Sequence, residues 1–176
     1  MIARASLLLL AAAAMVLAPS SVRAQASEQA VKAAFLTKFP RYVEWPQQAR
    51  SGPVNLCLLG SDPFGKLIDD AASGQAIDQR PFAVRRIASA ERTAGCHLVF
   101  VRGSSARATA ELLAALKGKP VLTVTDSRDG NARGMIHFAL RSGRVSFHID
   151  DAQAARGSLA ISSRLLGLAM SVVQRR

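Results

Sequence analysis

The chain is poor in the residues that carry most protein chemistry. Its 176 residues include three His, two Cys, one Trp and one Tyr, and only 12 acidic side chains against 23 basic ones. A zinc site usually needs three or four ligands, and the cross-strand candidates His137 and His148 have only Asp150 near them in sequence. No GxSxG elbow occurs, so the common serine hydrolase arrangement is missing. No glycine loop ends in Lys-Ser/Thr, and none has GxGxxG spacing. His97 directly follows Cys96, but adjacent residues of a strand point to opposite faces. The paired carboxylates Asp69-Asp70 and Asp150-Asp151 read as a helix surface and a cap. Nothing in the sequence assembles an acid and a base, so it implies neither an enzyme nor a cofactor.

Long apolar runs are also missing. The longest, Leu7 to Ala18, falls short of the roughly 20 residues that span a bilayer. With Arg4 before it and the small residues of Val22-Arg23-Ala24 after it, this run has the anatomy of a secretory signal. No Cys follows that would carry a lipid, and no twin Arg precedes it. The reading is therefore a signal peptide over 1–24 and one mature domain over 25–176. Loss of Arg4 and Arg23 lowers the net charge from +11 to +9. The remaining bases are dispersed, with local pairs only at Arg85-Arg86 and Arg175-Arg176, and no aromatic residues interleave them. Nucleic acid is thus not an expected partner; an acidic protein or an anionic surface is.

What is present is a strand–helix alternation. Val31, Phe35 and Phe39, with Ala34 beside them, form one stripe of a first helix. Pro40 should end that helix, and Tyr42, Val43 and Trp45 form an aromatic knot closed by Pro46. Strands are expected at Pro53 to Leu59, Phe82 to Ile87, Cys96 to Val101 and Pro120 to Thr125. Helices are expected from Ser61 onward, with Asp62 as N-cap and Pro63 in the first turn, and after Gly103, with Leu112, Leu113 and Leu116 as its stripe. Met135 to Arg141 and Arg144 to Asp150 form a hairpin through Ser142-Gly143. Its register sets Leu140 against Val145, Phe138 against Phe147 and Ile136 against Ile149 on a buried face. Arg141 with Arg144, Ala139 with Ser146, and His137 with His148 then lie on the outer face. Leu159 to Val173 reads as one largely buried segment capped at Ser162 or Ser163. The fold class is α/β: a three-layer sandwich, its central sheet mostly parallel with a C-terminal antiparallel hairpin, and helices on both faces.

Three places could carry a site. Gly60 and Ser61, and Ser104 and Ser105 after Gly103, lie at strand-to-helix turns where backbone amides could hold a small anion. His137 and His148 could grip a metal, though an outer face with two solvated imidazoles is the plainer reading. Cys57 and Cys96 could pair in an oxidising compartment or remain two buried thiols.

Taken together, the blocks resemble the YfiR family of exported proteins of Gram-negative bacteria. They are Val31-Lys-Ala-Ala-Phe-Leu, Phe39, Val43-Glu-Trp-Pro46, Asn55-Leu-Cys-Leu-Leu-Gly60, Asp62-Pro-Phe64, Gly95-Cys-His-Leu-Val-Phe100, Pro120-Val-Leu-Thr-Val-Thr-Asp126, Gly134-Met-Ile-His-Phe138 and Leu159-Ala-Ile-Ser-Ser-Arg-Leu-Leu166. They cover nearly all of the mature domain. The resemblance implies a periplasmic α/β protein without catalytic activity that restrains an inner-membrane diguanylate cyclase by binding its periplasmic part. An outer-membrane lipoprotein would release that restraint, and association into a homodimer is left open. It also implies that Cys57 and Cys96 pair. The chain departs from many relatives at His137 and Asp150, where they carry Asn, and at Arg133, where they carry Gly. The other reading is a periplasmic sensor or binding protein for a small anionic ligand, held near Gly60, Ser61, Ser104 and Ser105.

Overall fold

A computed structural model describes residues 20–49 and 51–175, with side chains from Glu28 onward. The expected signal peptide lies outside the described residues up to residue 19. From there α1 (Ser20–Lys38) runs across the expected junction at Ala24. Pro40 removes a backbone donor, and α1 gives way to a 3-10 turn over Phe39–Tyr42 and a short strand β1 (Val43–Glu44). Then follow β2 (Val54–Gly60), α2 (Lys66–Ala72), β3 (Ala76–Ile77) and β4 (Arg80–Ile87). A 3-10 turn at Ala90–Thr93 leads to β5 (Leu98–Arg102), α3 (Ala106–Ala115) and β6 (Leu122–Asp126). The chain ends with β7 (Ile136–Arg141), β8 (Arg144–Asp150), α4 (Asp151–Arg156), β9 (Ala160–Ile161), α5 (Ser163–Leu166) and β10 (Ser171–Val173).

Eight strands form one sheet in the order β10-β8-β7-β6-β5-β2-β4-β3. β4, β2, β5, β6 and β7 are mutually parallel, as strand–helix alternation requires. β8 returns antiparallel to β7, and β10 lies parallel to β8 at the edge. β1 and β9 pair separately as a small antiparallel clasp.

Alternation along the strands divides the core in two. Leu56, Leu58, Leu98, Phe100, Leu122 and Val124 pack under α1 and α2, while Cys57, Leu59, Val99 and Val101 pack toward Leu116 at the end of α3. Helices therefore lie on both faces, and the α/β sandwich stands. Phe35 and Phe39 of α1 dock on Phe138 and Phe147 of the hairpin, with ring centroids 5.3 to 6.2 Å apart. That spacing falls in the favourable range for aromatic pairs.

The hairpin register is the expected one in all six pairs. Ser142 (φ 50°) and Gly143 (φ 73°) supply the two positive φ angles of a type I′ turn.

Four expectations need correction. Val31 is 41% exposed, whereas Lys32 beside it is fully buried, so the inward stripe of α1 is rotated toward Ala33 and Leu36. Asp62 does not start α2: its carboxylate accepts from the amides of Phe64 and Gly65, forming a turn that delays the helix to Lys66. Leu159 to Val173 is not one buried segment. Ser162 caps only the single turn α5, and after Gly167 the chain becomes edge strand, leaving Leu168 66% exposed. Finally, His137 is not on an open surface and is 4% exposed. The segment 127–135, which opens with a 3-10 turn over Ser127–Asp129, crosses that face, with Gly134 N–H donating to Thr125 Oγ1 (2.9 Å) and Met135 N–H to Thr123 Oγ1 (3.0 Å).

Candidate functional site

From β2 the chain lays β4 on one side and β5 on the other, so the order of the parallel strands reverses between β2 and β5. Open α/β sheets bind ligands in the crevice beyond the carboxyl ends at such a point. Here Gly60 ends β2 opposite Arg102 of β5. Gly60 has φ +90°, and a Cβ there would lie 2.1 Å from the Arg102 carbonyl oxygen, so only glycine allows this approach. Ser61 donates to the same carbonyl from its amide (2.9 Å) and from its hydroxyl (3.3 Å). Gly60, Ser61 and Ser104 share the wall of an open groove of about 550 Å³ with Arg102, Glu91 and Glu111. Ser105 stands outside it, its hydroxyl accepting from Ala108 N–H at the head of α3 (3.1 Å). Gly103 N–H is likewise spent, on Thr109 Oγ1 (3.0 Å). Arg102 Nε lies 2.8 Å from Asp129 Oδ1. The groove therefore presents two carboxylates and an already paired guanidinium, a poor lining for an anion.

Beside it lies a charge network that the sequence did not advertise. Lys32 is fully buried and ion-pairs with both Glu28 and Asp126. Arg128 Nε donates to Glu28 Oε1 (2.7 Å), and Arg128 N–H donates to Asp126 Oδ1 (3.1 Å). The Arg128 guanidinium, followed by Lys32, holds the Glu28 carboxyl below its usual range. Burial pushes Asp129 up despite Arg102. The network bolts the middle of α1 to the end of β6. Its one sequence signal is the i,i+4 spacing of Glu28 and Lys32.

In the middle of the sheet, Cys57 of β2 and Cys96, two residues before β5, form a disulfide with Cα atoms 5.9 Å apart. Next to it His97, 4% exposed, holds the segment after the aromatic knot. His97 Nδ1 lies 3.2 Å from the donating Asn55 amide, and Nε2 lies between the Ala49 carbonyl (2.6 Å) and Arg80 Nη2 (2.8 Å). Trp45 Nε1–H donates to the His97 carbonyl (3.2 Å). Burial, with Arg80 acting in the same sense, pushes the His97 pKa down.

His137 and His148 do face one another, with ring centroids 6.5 Å apart. Thr125 Oγ1 accepts from Gly134 N–H (2.9 Å) and lies 2.8 Å from His137 Nδ1, so the imidazole is hydrogen-bonded on its buried side. His148 Nδ1 lies 2.7 Å from Ser171 Oγ. Burial, then the Arg133 charge, pushes His137 down to about 4. Asp150, the third ligand suggested by sequence, accepts from Gln153 N–H as the cap of α4. Among the described residues no group of three or more His, Cys, Asp or Glu converges on a metal position.

The structure thus offers an open groove whose neighbouring polar groups are largely engaged, and internal polar hubs at Lys32 and His97. The family model for YfiR/HmsC-like proteins matches residues 29–170, from the buried part of α1 to the residue before β10. The chain belongs to the YfiR/HmsC-like family. Among curated proteins, none matches it. Within this YfiR/HmsC-like domain the matched span holds the disulfide, the His97 hub, and Lys32, Asp126 and Arg128. Glu28 and the edge strand lie just outside it.

Proposed function

We propose that the protein is an exported, non-catalytic regulator that binds the periplasmic part of an inner-membrane diguanylate cyclase and restrains it, lowering cyclic di-GMP and biofilm formation. The observation that carries this reading is the family match, which takes in nearly the whole described domain. The Cys57–Cys96 bridge suits an oxidising compartment. Among the described residues no helix is long and apolar enough to cross a membrane, which suits a protein that meets its partner from outside the bilayer. Sequestration by an outer-membrane lipoprotein is the release step in this scheme.

The test is intracellular cyclic di-GMP in a deletion strain beside a complemented one. A rise on deletion, reversed by complementation, is the expected result, and pull-down from solubilised membranes would then name the cyclase. An unchanged level under several growth conditions would sink the regulatory reading. The second reading, a sensor or binding protein for a small anionic ligand at Gly60, Ser61, Ser104 and Ser105, is the weaker one, because Glu91 and Glu111 line that groove and Arg102 is already paired. A ligand there would act on regulation only through its different affinity for the free and partner-bound states.

A further inference from the structure

On the second face of the sheet the 127–135 segment covers the hairpin only around His137, and the outer part toward the turn is exposed. The apolar cluster under α3 takes residues from β2 and β5 but none from β7, β8 or β10. On β7 and β8 that face carries three cross-strand pairs: His137 with His148, Ala139 with Ser146, and Arg141 with Arg144 beside the turn. Arg133, exposed at the end of the crossing segment, acts electrostatically on both imidazoles. Among the described residues, none of Arg133, Arg141 and Arg144 has a carboxylate partner. The one acid on this side of the hairpin, Asp150, is engaged at the cap of α4.

Arg141 and Arg144 are the most telling pair. Like charges directly opposite on a hairpin repel, and both guanidiniums here are exposed and unneutralised. A carboxylate accepting from either in the bidentate geometry relieves that repulsion. Between the two ends of the face, Ala139 and Ser146 are small and leave room for a main chain against the sheet. From His137 to Arg141 the strand advances about 13 Å, roughly four extended residues.

We propose that this strip, from Arg133 past His148 and the Ala139–Ser146 pair to Arg141 and Arg144, docks an acidic, extended polypeptide segment of a partner protein. A polypeptide fits better than a membrane surface. The positive charge sits at the two ends of a narrow track, and the exposed apolar residue of the hairpin, Leu140, points to the other face, where it cannot insert beside the arginines. The inference does not depend on the regulatory reading, and its test involves no cyclase.

The experiment is an NMR titration of the isotope-labelled domain with a capped hexaglutamate peptide at low and raised salt. The expected result is shifts confined to Arg133, residues 137–148 and Ser171, weakening with salt. Arg141→Ala with Arg144→Ala should weaken binding at least tenfold and leave Tm unchanged or raised, since a repulsion is removed. A control double variant of equal charge loss, Arg92→Ala with Lys117→Ala, should change it less than twofold. Equal weakening in both double variants would reveal a diffuse charge effect and overturn the proposal. So would shifts centred elsewhere, or binding of the wild type to phosphatidylglycerol vesicles but not to the peptide.

Discussion

His137 makes stability depend on pH in a calculable way. Burial under the 127–135 segment, reinforced by Arg133, keeps the ring neutral and lowers its pKa from 6.5 to about 4. The unfolded chain binds a proton near pH 6.5, whereas the native protein resists until about pH 4. Between those values the unfolded state holds the extra proton, so stability falls as pH falls. Above pH 7 neither state is protonated and the full stability is present. By pH 5 the loss is about 2 kcal/mol, at about 1.4 kcal/mol per pH unit, and it approaches about 3 kcal/mol near pH 4. For a domain of this size that is roughly 4 to 8 °C in Tm at pH 5. Urea unfolding at pH 7.5 and 5.0 would measure it. His137→Asn keeps a hydrogen-bonding group beside the Thr125 hydroxyl but has no proton to gain, so the variant should lose about 2 kcal/mol less over that interval. His97, also shifted down by burial, contributes in the same sense to both proteins and cancels in the comparison. Equal losses in the two proteins, or a His137 ring resonance titrating near pH 6.5, would refute the reasoning.

Three further outcomes follow from the packing. Reduction of Cys57–Cys96, whose sequence separation is 39, should cost about 4 kcal/mol on a chain-entropy account and lower Tm by roughly 10 °C; an unchanged melting curve would contradict it. Gly60→Ala places a methyl on the Arg102 carbonyl at φ +90° and should cost about 2 kcal/mol or more by urea unfolding. Gly74→Ala, at φ +68° but with open space around it, should cost only about 1 kcal/mol. Lys32→Met leaves Glu28 and Asp126 buried without their shared cation and should cost about 3–5 kcal/mol. Adding Glu28→Gln and Asp126→Asn should recover part of that loss, and no recovery would mean the network is not what the lysine serves.

Much of the architecture was legible because it is written in local patterns. The hairpin register follows from a two-residue turn and period-two alternation, and all six pairs are as read. The parallel strands stand out as short apolar runs. What could not be read depends on distant partners. Lys32 looks like a surface residue of an amphipathic helix until Asp126, 94 residues away, is brought beneath it. His137 sits on the side of its strand that alternation assigns to solvent, and only the path of the 127–135 segment buries it. The C-terminal segment is apolar enough to read as buried throughout, yet Gly167 and the empty edge beside β8 turn its last residues into a strand. At the candidate groove, the sequence found the turn residues. It could not show that Ser61, Gly103 and Ser105 spend their hydrogen bonds on their own backbone.

The clasp of β1 with β9 has a consequence for timing. Val43 and Glu44 pair with Ile161 and Ala160, and Ser162 N–H donates to the Tyr42 carbonyl (2.9 Å). These contacts join the two extremes of the domain, so they carry nearly the largest loop-closure cost available to the chain. The β2–β5 pair, by contrast, joins residues as near in sequence as Leu56 and Leu98. The exit of α1 is therefore secured only after β9 has arrived, although the helix itself is held earlier in the chain by Asp126 and the hairpin.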